Sequence, residues 1–125
     1  MESRTLWAGR IMSALPVLLL LFSAAMKLFK LAPATAGMAK YGYPENLIVG
    51  IGVLELLCTL VYMVPRTSFL GAILLTAYLG GATATNIRVG NPAFCLTVLL
   101  GVLVWGGLYL RDERLRVLIP LRNPE

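Results

Sequence analysis

The chain has 125 residues, of which 58% are hydrophobic and only 14% charged, and its formal net charge is +5. A soluble domain usually carries about a quarter charged residues, and a small one needs much polar surface to cover its core. The composition therefore excludes an ordinary soluble domain. Because the apolar residues form long runs, lipid is the expected solvent, and the length allows one domain.

Histidine is absent, and Cys58 and Cys95 are the two cysteines. The chain thus lacks the commonest metal ligand and the usual acid–base group at neutral pH, and it has no C-x-x-C pair. No nucleophile stands beside a base. We therefore expect no metal site, no firmly implied cofactor and a binding or accessory role in preference to an enzymatic one. At 1.5 Å per residue the two cysteines differ in depth by more than ~10 Å, so they should be unpaired.

Four apolar segments, at residues 11–31, 47–64, 69–87 and 93–110, each have about the ~20 residues that a helix needs to cross a bilayer. Backbone amides in lipid must be satisfied internally, so these segments should be helices. The predicted fold is all-α, a membrane-spanning antiparallel four-helix bundle forming a single transmembrane domain over residues 1–125. A short interfacial helix is expected near residues 33–41, and residues 111–125 form a basic interfacial tail.

Positive charge is unequal on the two sides of this bundle. An even number of spans places both termini on one side. That side holds seven arginines, at positions 4, 10, 66, 111, 114, 116 and 122, and the other side holds four Lys or Arg, at positions 27, 30, 40 and 88. The bias predicts a bacterial-type inner (plasma) membrane protein with both termini cytoplasmic. Since the basic residues stand at the ends of apolar runs, we expect no nucleic-acid partner.

Glu55 gives the strongest local signal for a site. An ionisable residue in the middle of a span usually faces the bundle interior and marks function. Gly52, Glu55, Thr59 and Tyr62 follow one another at spacings of three, four and three, which puts them on one helical face. The sequence therefore predicts that this face of the second span points at neighbouring helices.

Other spans offer faces that match it. The predicted ligand-binding residues are Lys27, Glu55, Thr59, Tyr78, Thr85, Asn86 and Arg88, which would form a polar pocket in the outer half of the bundle. From the outer boundary, Lys27 lies ~6 Å down, Glu55 ~12 Å and Tyr78 ~13 Å. Ser23 lines the first helix beside Lys27. On the fourth span, Thr97, Gly101 and Trp105 share a face that could match these.

Each of these residues also has a purely structural interpretation. Lys27 would snorkel toward the headgroups or pair with Glu55. Tyr78, Thr85 and Asn86 would serve packing and interhelical hydrogen bonds. The other four tyrosines fit interfacial aromatic belts, and they are Tyr41, Tyr43, Tyr62 and Tyr109.

Several blocks resemble a known family. Glu55, Pro65-Arg66-Thr67 and Leu79-Gly80-Gly81-Ala82, followed by Ala84-Thr85-Asn86-Ile87-Arg88, are similar to the DoxX-like family of small four-helix membrane proteins. The resemblance implies a link to membrane redox metabolism, since the family is named for a subunit associated with thiosulfate:quinone oxidoreductase. It also implies that distant relatives act as assembly factors or chaperones. The family motif often has histidine where this chain has Asn86, and an amide does not titrate near neutral pH.

Two functions follow as expectations. In the first, the pocket binds a quinone-like or lipid-like molecule, so that a quinone is the one cofactor suggested. In the second, the chain is a structural or chaperone-like accessory that binds other membrane proteins through its helix faces. The partners expected are the lipid bilayer and either another membrane protein or further copies of this chain. Proton-linked transport is a weaker third alternative.

Overall fold

The computed structural model describes residues 3–119, apart from the side chains of Ala34 and Glu45, and this range contains helices and no strand. The helices are α1 Ser3–Leu28, α2 Ala32–Lys40, α3 Ile48–Met63, α4 Ser68–Arg88, α5 Phe94–Arg111 and α6 Glu113–Leu118. Two 3-10 turns, Glu45–Leu47 and Pro65–Thr67, lead into α3 and α4. The predicted all-α class is confirmed.

Three helical segments of the described range are long and apolar enough to cross a membrane. They are Ser3–Leu28, Pro65–Arg88 and Phe94–Arg111, while Ile48–Met63 is apolar but shorter. The membrane-spanning four-helix bundle and the limits of its four spans therefore stay predictions. The last six residues of the predicted basic tail, 120–125, lie outside the described residues.

The four longer helices pack in a closed cycle. Helix α1 contacts α3 and α5, and α4 contacts the same two helices. Neighbours run antiparallel, because Gly9 near the start of α1 meets Arg111 at the end of α5, and Gly52 near the start of α3 meets Lys27 near the end of α1. We call the end with Gly9 and Arg111 the terminal end, and the end with Lys27 and Gly52 the loop end.

Glycine sets how closely the helices approach at the terminal end. A Cβ at Gly71 of α4 would collide with the backbone of Tyr62 in α3, and one at Gly107 of α5 would collide with Ser13 of α1. A side chain at either position would force the helices apart. Small residues at such contacts let backbones pack directly, which is how helices associate in lipid.

The hydroxyl groups of the turn between α3 and α4 bond to the end of α3. Thr67 Oγ1 donates to the carbonyl oxygen of Val61 at 2.7 Å, and Ser68 Oγ donates to that of Tyr62 at 2.7 Å. Neither residue caps α4 with its side chain. The last carbonyls of a helix lack intrahelical partners, and these two hydroxyls satisfy them at the end of α3.

The outer surface is apolar. Large hydrophobic side chains stand exposed along every long helix, with Phe22 of α1 66% exposed and Val102 of α5 58% exposed. A surface of this kind is a liability in water and the normal surface of a protein in lipid. The small core holds Leu20, Cys58, Tyr62, Ala72, Leu75, Leu79, Leu100, Val104, Leu108 and Leu115.

Candidate functional site in the bundle interior

A salt bridge joins α1 to α3 in the half of the bundle nearer the loop end. Lys27 Nζ lies 2.9 Å from Glu55 Oε1, and the side chains of Lys27 and Glu55 are 14% and 2% exposed. Gly52, one turn before Glu55, makes the pairing sterically feasible, because a Cβ there would lie 2.9 Å from the Cβ of Lys27. Lys27 therefore pairs with Glu55 and does not snorkel.

The ammonium of Lys27 has three acceptors. Its Nζ donates to Ser23 Oγ at 2.9 Å, to Glu55 Oε1 at 2.9 Å and to the hydroxyl of Tyr78 at 3.1 Å. Ser23 Oγ in turn donates to Glu55 Oε1 at 3.2 Å. A lysine ammonium carries three N–H donors, so every one of them is used. These four residues, the ion-pair cluster, connect α1, α3 and α4.

Thr59 lies beside this cluster without joining it. Its side chain is fully buried, and its hydroxyl donates to the backbone carbonyl of Glu55 at 2.8 Å. A threonine that bonds to the carbonyl four residues earlier satisfies its own hydroxyl inside the helix. Thr59 thus supports the local backbone of α3 at Glu55.

The remaining predicted site residues form a separate rim at the loop end. Tyr41, just after α2, donates its hydroxyl proton to Asn86 Oδ1 at 2.6 Å, and Asn86 Nδ2 donates to the carbonyl of Ala82 at 2.9 Å. Arg88 donates to the backbone carbonyl of Tyr41. Thr85 bonds to the Tyr43 hydroxyl at 2.9 Å. The structure thus divides the predicted pocket between the ion-pair cluster and a rim that holds the α2 segment against α4.

A second interior cluster lies toward the terminal end and was not predicted as a site. The hydroxyl of Tyr62 donates to the carbonyl of Val104 at 2.7 Å and lies 2.9 Å from Ser13 Oγ. Tyr62 is 1% exposed, so its assignment to an interfacial belt is wrong. Its place on the face shared with Glu55 was the informative signal. We call Ser13, Tyr62 and Val104 the hydroxyl cluster, which connects α1, α3 and α5.

The candidate face on the fourth span lies elsewhere. Thr97, Gly101 and Trp105 line a groove of about 570 Å³ between α4 and α5 on the outside of the bundle. Its other lining residues are Thr76, Leu79, Gly80, Thr83, Val98, Val102, Gly106, Tyr109 and Ile119. The structure does not bring this face to the ion-pair cluster, because its polar groups bond to Thr76 and Thr83 of α4 instead.

The threonine hydroxyls and the indole N–H in this groove already have partners. Trp105 Nε1 donates to Thr76 Oγ1 at 2.6 Å, and the Thr83 and Thr97 hydroxyls lie 2.7 Å apart. Thr76 also donates to the carbonyl of Ala72 at 2.7 Å. The groove therefore presents an essentially apolar surface to whatever occupies it.

Both cysteines are free thiols, Cys58 buried and Cys95 exposed. Within residues 3–119 no three His, Cys, Asp or Glu side chains group closely enough to hold a metal ion. The interior groups described above can thus form hydrogen bonds and ion pairs, through a lysine, a glutamate and neutral hydroxyl and amide groups.

Long apolar helices with a lipid-type surface and a paired interior charge define a small helical membrane protein. The profile of the DoxX-like family matches residues 11–107. The chain belongs to the DoxX-like family. Comparison with curated proteins and with solved structures found no match.

Proposed function

We propose that this chain is a membrane accessory protein that spans the bilayer four times and docks a transmembrane helix of another membrane protein on its α4 face. Helix α3 is the short span. Its 16 residues are about 24 Å long, and the 3-10 turns Glu45–Leu47 and Pro65–Thr67 extend the chain at both ends. Local thinning of the bilayer accommodates a span of this length at modest cost.

The orientation we propose has both termini on the cytoplasmic side of an inner (plasma) membrane. Six arginines of the described residues belong to the terminal end and its turn, at positions 4, 10, 66, 111, 114 and 116. At the loop end, Lys27 is neutralised by Glu55. The positive excess thus lies at the terminal end, which the positive-inside rule places in the cytoplasm.

The interior favours a structural role over a ligand site. All three donors of Lys27 are used within the ion-pair cluster. Asn86, another predicted ligand-binding residue, is occupied by Tyr41 and Ala82. A ligand would have to displace protein partners from both. We therefore interpret the ion-pair cluster as a structural interaction that holds α1, α3 and α4 together.

The observation that supports the accessory role is a face of small residues on α4, beside the α4–α5 groove. Five small residues are exposed on this side of the helix: Thr76, Ala77, Gly80, Gly81 and Ala84. A Cβ at Gly80 or Gly81 would meet nothing within 4 Å. Small residues that a protein does not use for its own packing allow a second helix backbone to come close. Because the groove's threonine hydroxyls are bonded internally, its occupant is an apolar helix with small residues of its own.

Gly80→Leu tests this docking, with Gly50→Leu as the matched control. Both glycines are exposed and helical with open space around a built Cβ, so each variant should fold. A photoreactive side chain at Ala84 should crosslink one defined membrane protein in cells. We expect Gly80→Leu to abolish the adduct and Gly50→Leu to retain it.

Two results would contradict the docking proposal. The first is an adduct made only of lipid. The second is the same protein crosslinked equally well from Leu18, which lies on the lipid-facing side of α1 and is 64% exposed. Either result would mean that the α4 face has no selectivity for a helix.

A quinone-like ligand is the second candidate, favoured by the partial exposure of Lys27. The side chain of Lys27 is 14% exposed, and the Tyr78 hydroxyl is its one neutral aromatic acceptor. A quinone carbonyl would take the place of that hydroxyl while Glu55 keeps the ammonium oriented. Thermal stabilisation by a short-chain quinone, lost in Glu55→Ala and kept in Thr97→Ala, would support binding. Equal melting temperatures with and without quinone would exclude this candidate.

A further inference from the structure

A cavity of about 510 Å³ opens at the terminal end of the bundle, away from both interior clusters. It is lined by Leu6, Pro65, Ser68, Leu108, Arg111, Asp112, Glu113 and Arg114. Its wall thus combines apolar side chains with ionic ones. It lies where α1 begins and α5 ends, which is the level of the headgroups if α5 spans the bilayer.

Arg111 lines this cavity and forms no salt bridge with a carboxylate of the described residues. Its stem packs on α1, since a Cβ at Gly9 would lie 2.6 Å from Arg111 Cγ. Its guanidinium carbon lies 5.4 Å from the centre of the Tyr62 ring. Its Nε atom is buried and has no hydrogen-bond partner within the described part of the chain. Burying a donor without an acceptor is costly, and it often marks the place of an absent ion or ligand.

The neighbouring carboxylate of Asp112 is already engaged. Its Oδ1 accepts from the backbone N of Arg114 at 3.0 Å and from Arg114 Nε at 3.2 Å, and its Oδ2 accepts from Arg114 Nη2 at 3.3 Å. These hydrogen bonds hold the pKa of Asp112 below its usual value. Asp112 therefore pairs with Arg114. Its carboxylate also feels the charge of Arg111 but makes no hydrogen bond to that guanidinium, so the N–H groups of Arg111 are left for an anion from outside the chain.

The surrounding charge favours an anion as well. Six arginines of the terminal end stand against Asp112 and Glu113 in the described sequence. A guanidinium presents two parallel N–H groups that match two phosphate oxygens. Basic pockets between helices at the cytoplasmic surface bind lipid phosphates in this manner.

We propose that this cavity binds the headgroup of an anionic phospholipid, with Arg111 gripping the phosphate. Leu6, Pro65 and Leu108 contact the glycerol and the first methylenes of the acyl chains. The apolar wall is the reason to assign a lipid instead of free phosphate, since inorganic phosphate gains nothing from it. The proposal does not depend on a partner helix binding to α4.

Binding of defined lipids to the purified full chain in detergent tests the proposal. Native mass spectrometry and thermal melting would compare dioleoylphosphatidylglycerol, dioleoylphosphatidylcholine and inorganic phosphate. We expect one retained phosphatidylglycerol and a higher melting temperature with that lipid than with phosphatidylcholine. Arg111→Gln should weaken phosphatidylglycerol binding about tenfold, the size of one charge-assisted contact. Arg111→Lys keeps the charge but loses the two parallel N–H groups of the guanidinium, so it should also bind phosphatidylglycerol more weakly.

Arg66→Gln is the matched control, because Arg66 is an exposed arginine at the same end and does not line the cavity. It should bind phosphatidylglycerol like the unchanged chain. Equal losses in Arg66→Gln and Arg111→Gln would reduce the effect to surface charge and overturn the proposal. Equal binding of the two lipids, or full protection by inorganic phosphate alone, would overturn it as well. If Arg111→Gln does not fold, Arg111→Lys and the lipid comparison on the unchanged chain still decide.

Discussion

The two interior clusters tie the same bundle together by different physical means. The ion-pair cluster joins α1, α3 and α4 through a lysine, a glutamate and two hydroxyls. The hydroxyl cluster joins α1, α3 and α5 through neutral groups and a backbone carbonyl. Together they connect all four long helices. At the ion-pair cluster long side chains reach across between the helices, whereas around the hydroxyl cluster the helix backbones approach directly at glycine.

This contrast indicates what each half tolerates. An isolated charge in a low-dielectric interior is far more costly than an unpaired hydroxyl. Removing one member of the ion pair should therefore lower the free energy of unfolding strongly, while removing a hydroxyl should lower it only modestly. In the neutral half the sensitive positions should instead be the glycines, where no side chain fits.

The largest effect that sharpens this contrast is expected from Gly71→Ala. Its new Cβ would collide with the backbone of Tyr62, and a backbone atom cannot rotate away. Overpacking of this kind costs up to about 3 kcal/mol. Gly81→Ala in the same helix is the control, since nothing lies within 4 Å of its Cβ. Equal unfolding free energies in detergent for the two variants would show that close backbone contact between α3 and α4 does not stabilise the terminal half of the bundle.

A smaller effect is expected from tyrosine-to-phenylalanine changes in the two clusters. Tyr62→Phe removes the hydroxyl that bonds to the Val104 carbonyl and to Ser13 at a site that is 1% exposed. We expect a loss of about 2 kcal/mol. Tyr78→Phe removes one acceptor from Lys27, which keeps two others and is partly exposed. Here we expect about 1 kcal/mol.

Unfolding free energies of both phenylalanine variants, measured under one set of detergent conditions, check this order. A Tyr78→Phe loss well above that of Tyr62→Phe would mean that the Lys27 ammonium depends on all three acceptors. The ion-pair cluster would then be the more fragile of the two.

The smallest effect concerns pH at the terminal end. The Arg114 side chain lowers the pKa of Asp112 by hydrogen bonding to it. A lowered carboxyl pKa stabilises the folded state above the unfolded pKa of about 3.9, and this stabilisation is lost as pH falls through the folded value. The group is near the surface, so we expect a few tenths of a kcal/mol.

Melting temperatures of the unchanged chain and Asp112→Asn between pH 7 and pH 3 measure this difference. The gap between the two proteins should shrink as the solution is acidified and also as salt is added. A gap that is constant with pH would assign the effect of Asp112→Asn to its N-cap of α6 instead of its charge.

Helical periodicity and depth predicted the ion-pair cluster well. The spacing of Gly52, Glu55 and Tyr62 gave the interior face of α3. Rise per residue put Glu55 and Tyr78 at similar depths, with Lys27 only ~6 Å nearer the outer boundary, which a lysine side chain can span. These arguments succeed because a helix converts sequence distance into position with little freedom. The separation of Asn86 and Arg88 from the cluster was not foreseen, since it depends on how the chain after α2 folds back.

The hydroxyl cluster was harder to predict for a physical reason. Tyr62 bonds to the backbone carbonyl of Val104, and every residue carries such a carbonyl, so the sequence does not mark this one. On α5 the sequence likewise drew attention to Thr97, Gly101 and Trp105, whereas Leu100, Val104 and Leu108 are among its buried residues. A helix that is apolar all round gives little information on which side faces the core.

A double-mutant cycle on Lys27 and Glu55 tests the central claim most directly. Unfolding free energies would be measured in lipid bicelles for Glu55→Gln, Lys27→Met and the double variant. If the main role of each charge is to pair with the other, each single change should lower the free energy of unfolding by about 3 kcal/mol, because it leaves the other charge buried without a partner. The double variant should then recover most of that loss. Losses that simply add would contradict the account, because they would show that Lys27 and Glu55 are stabilised by something other than their pairing.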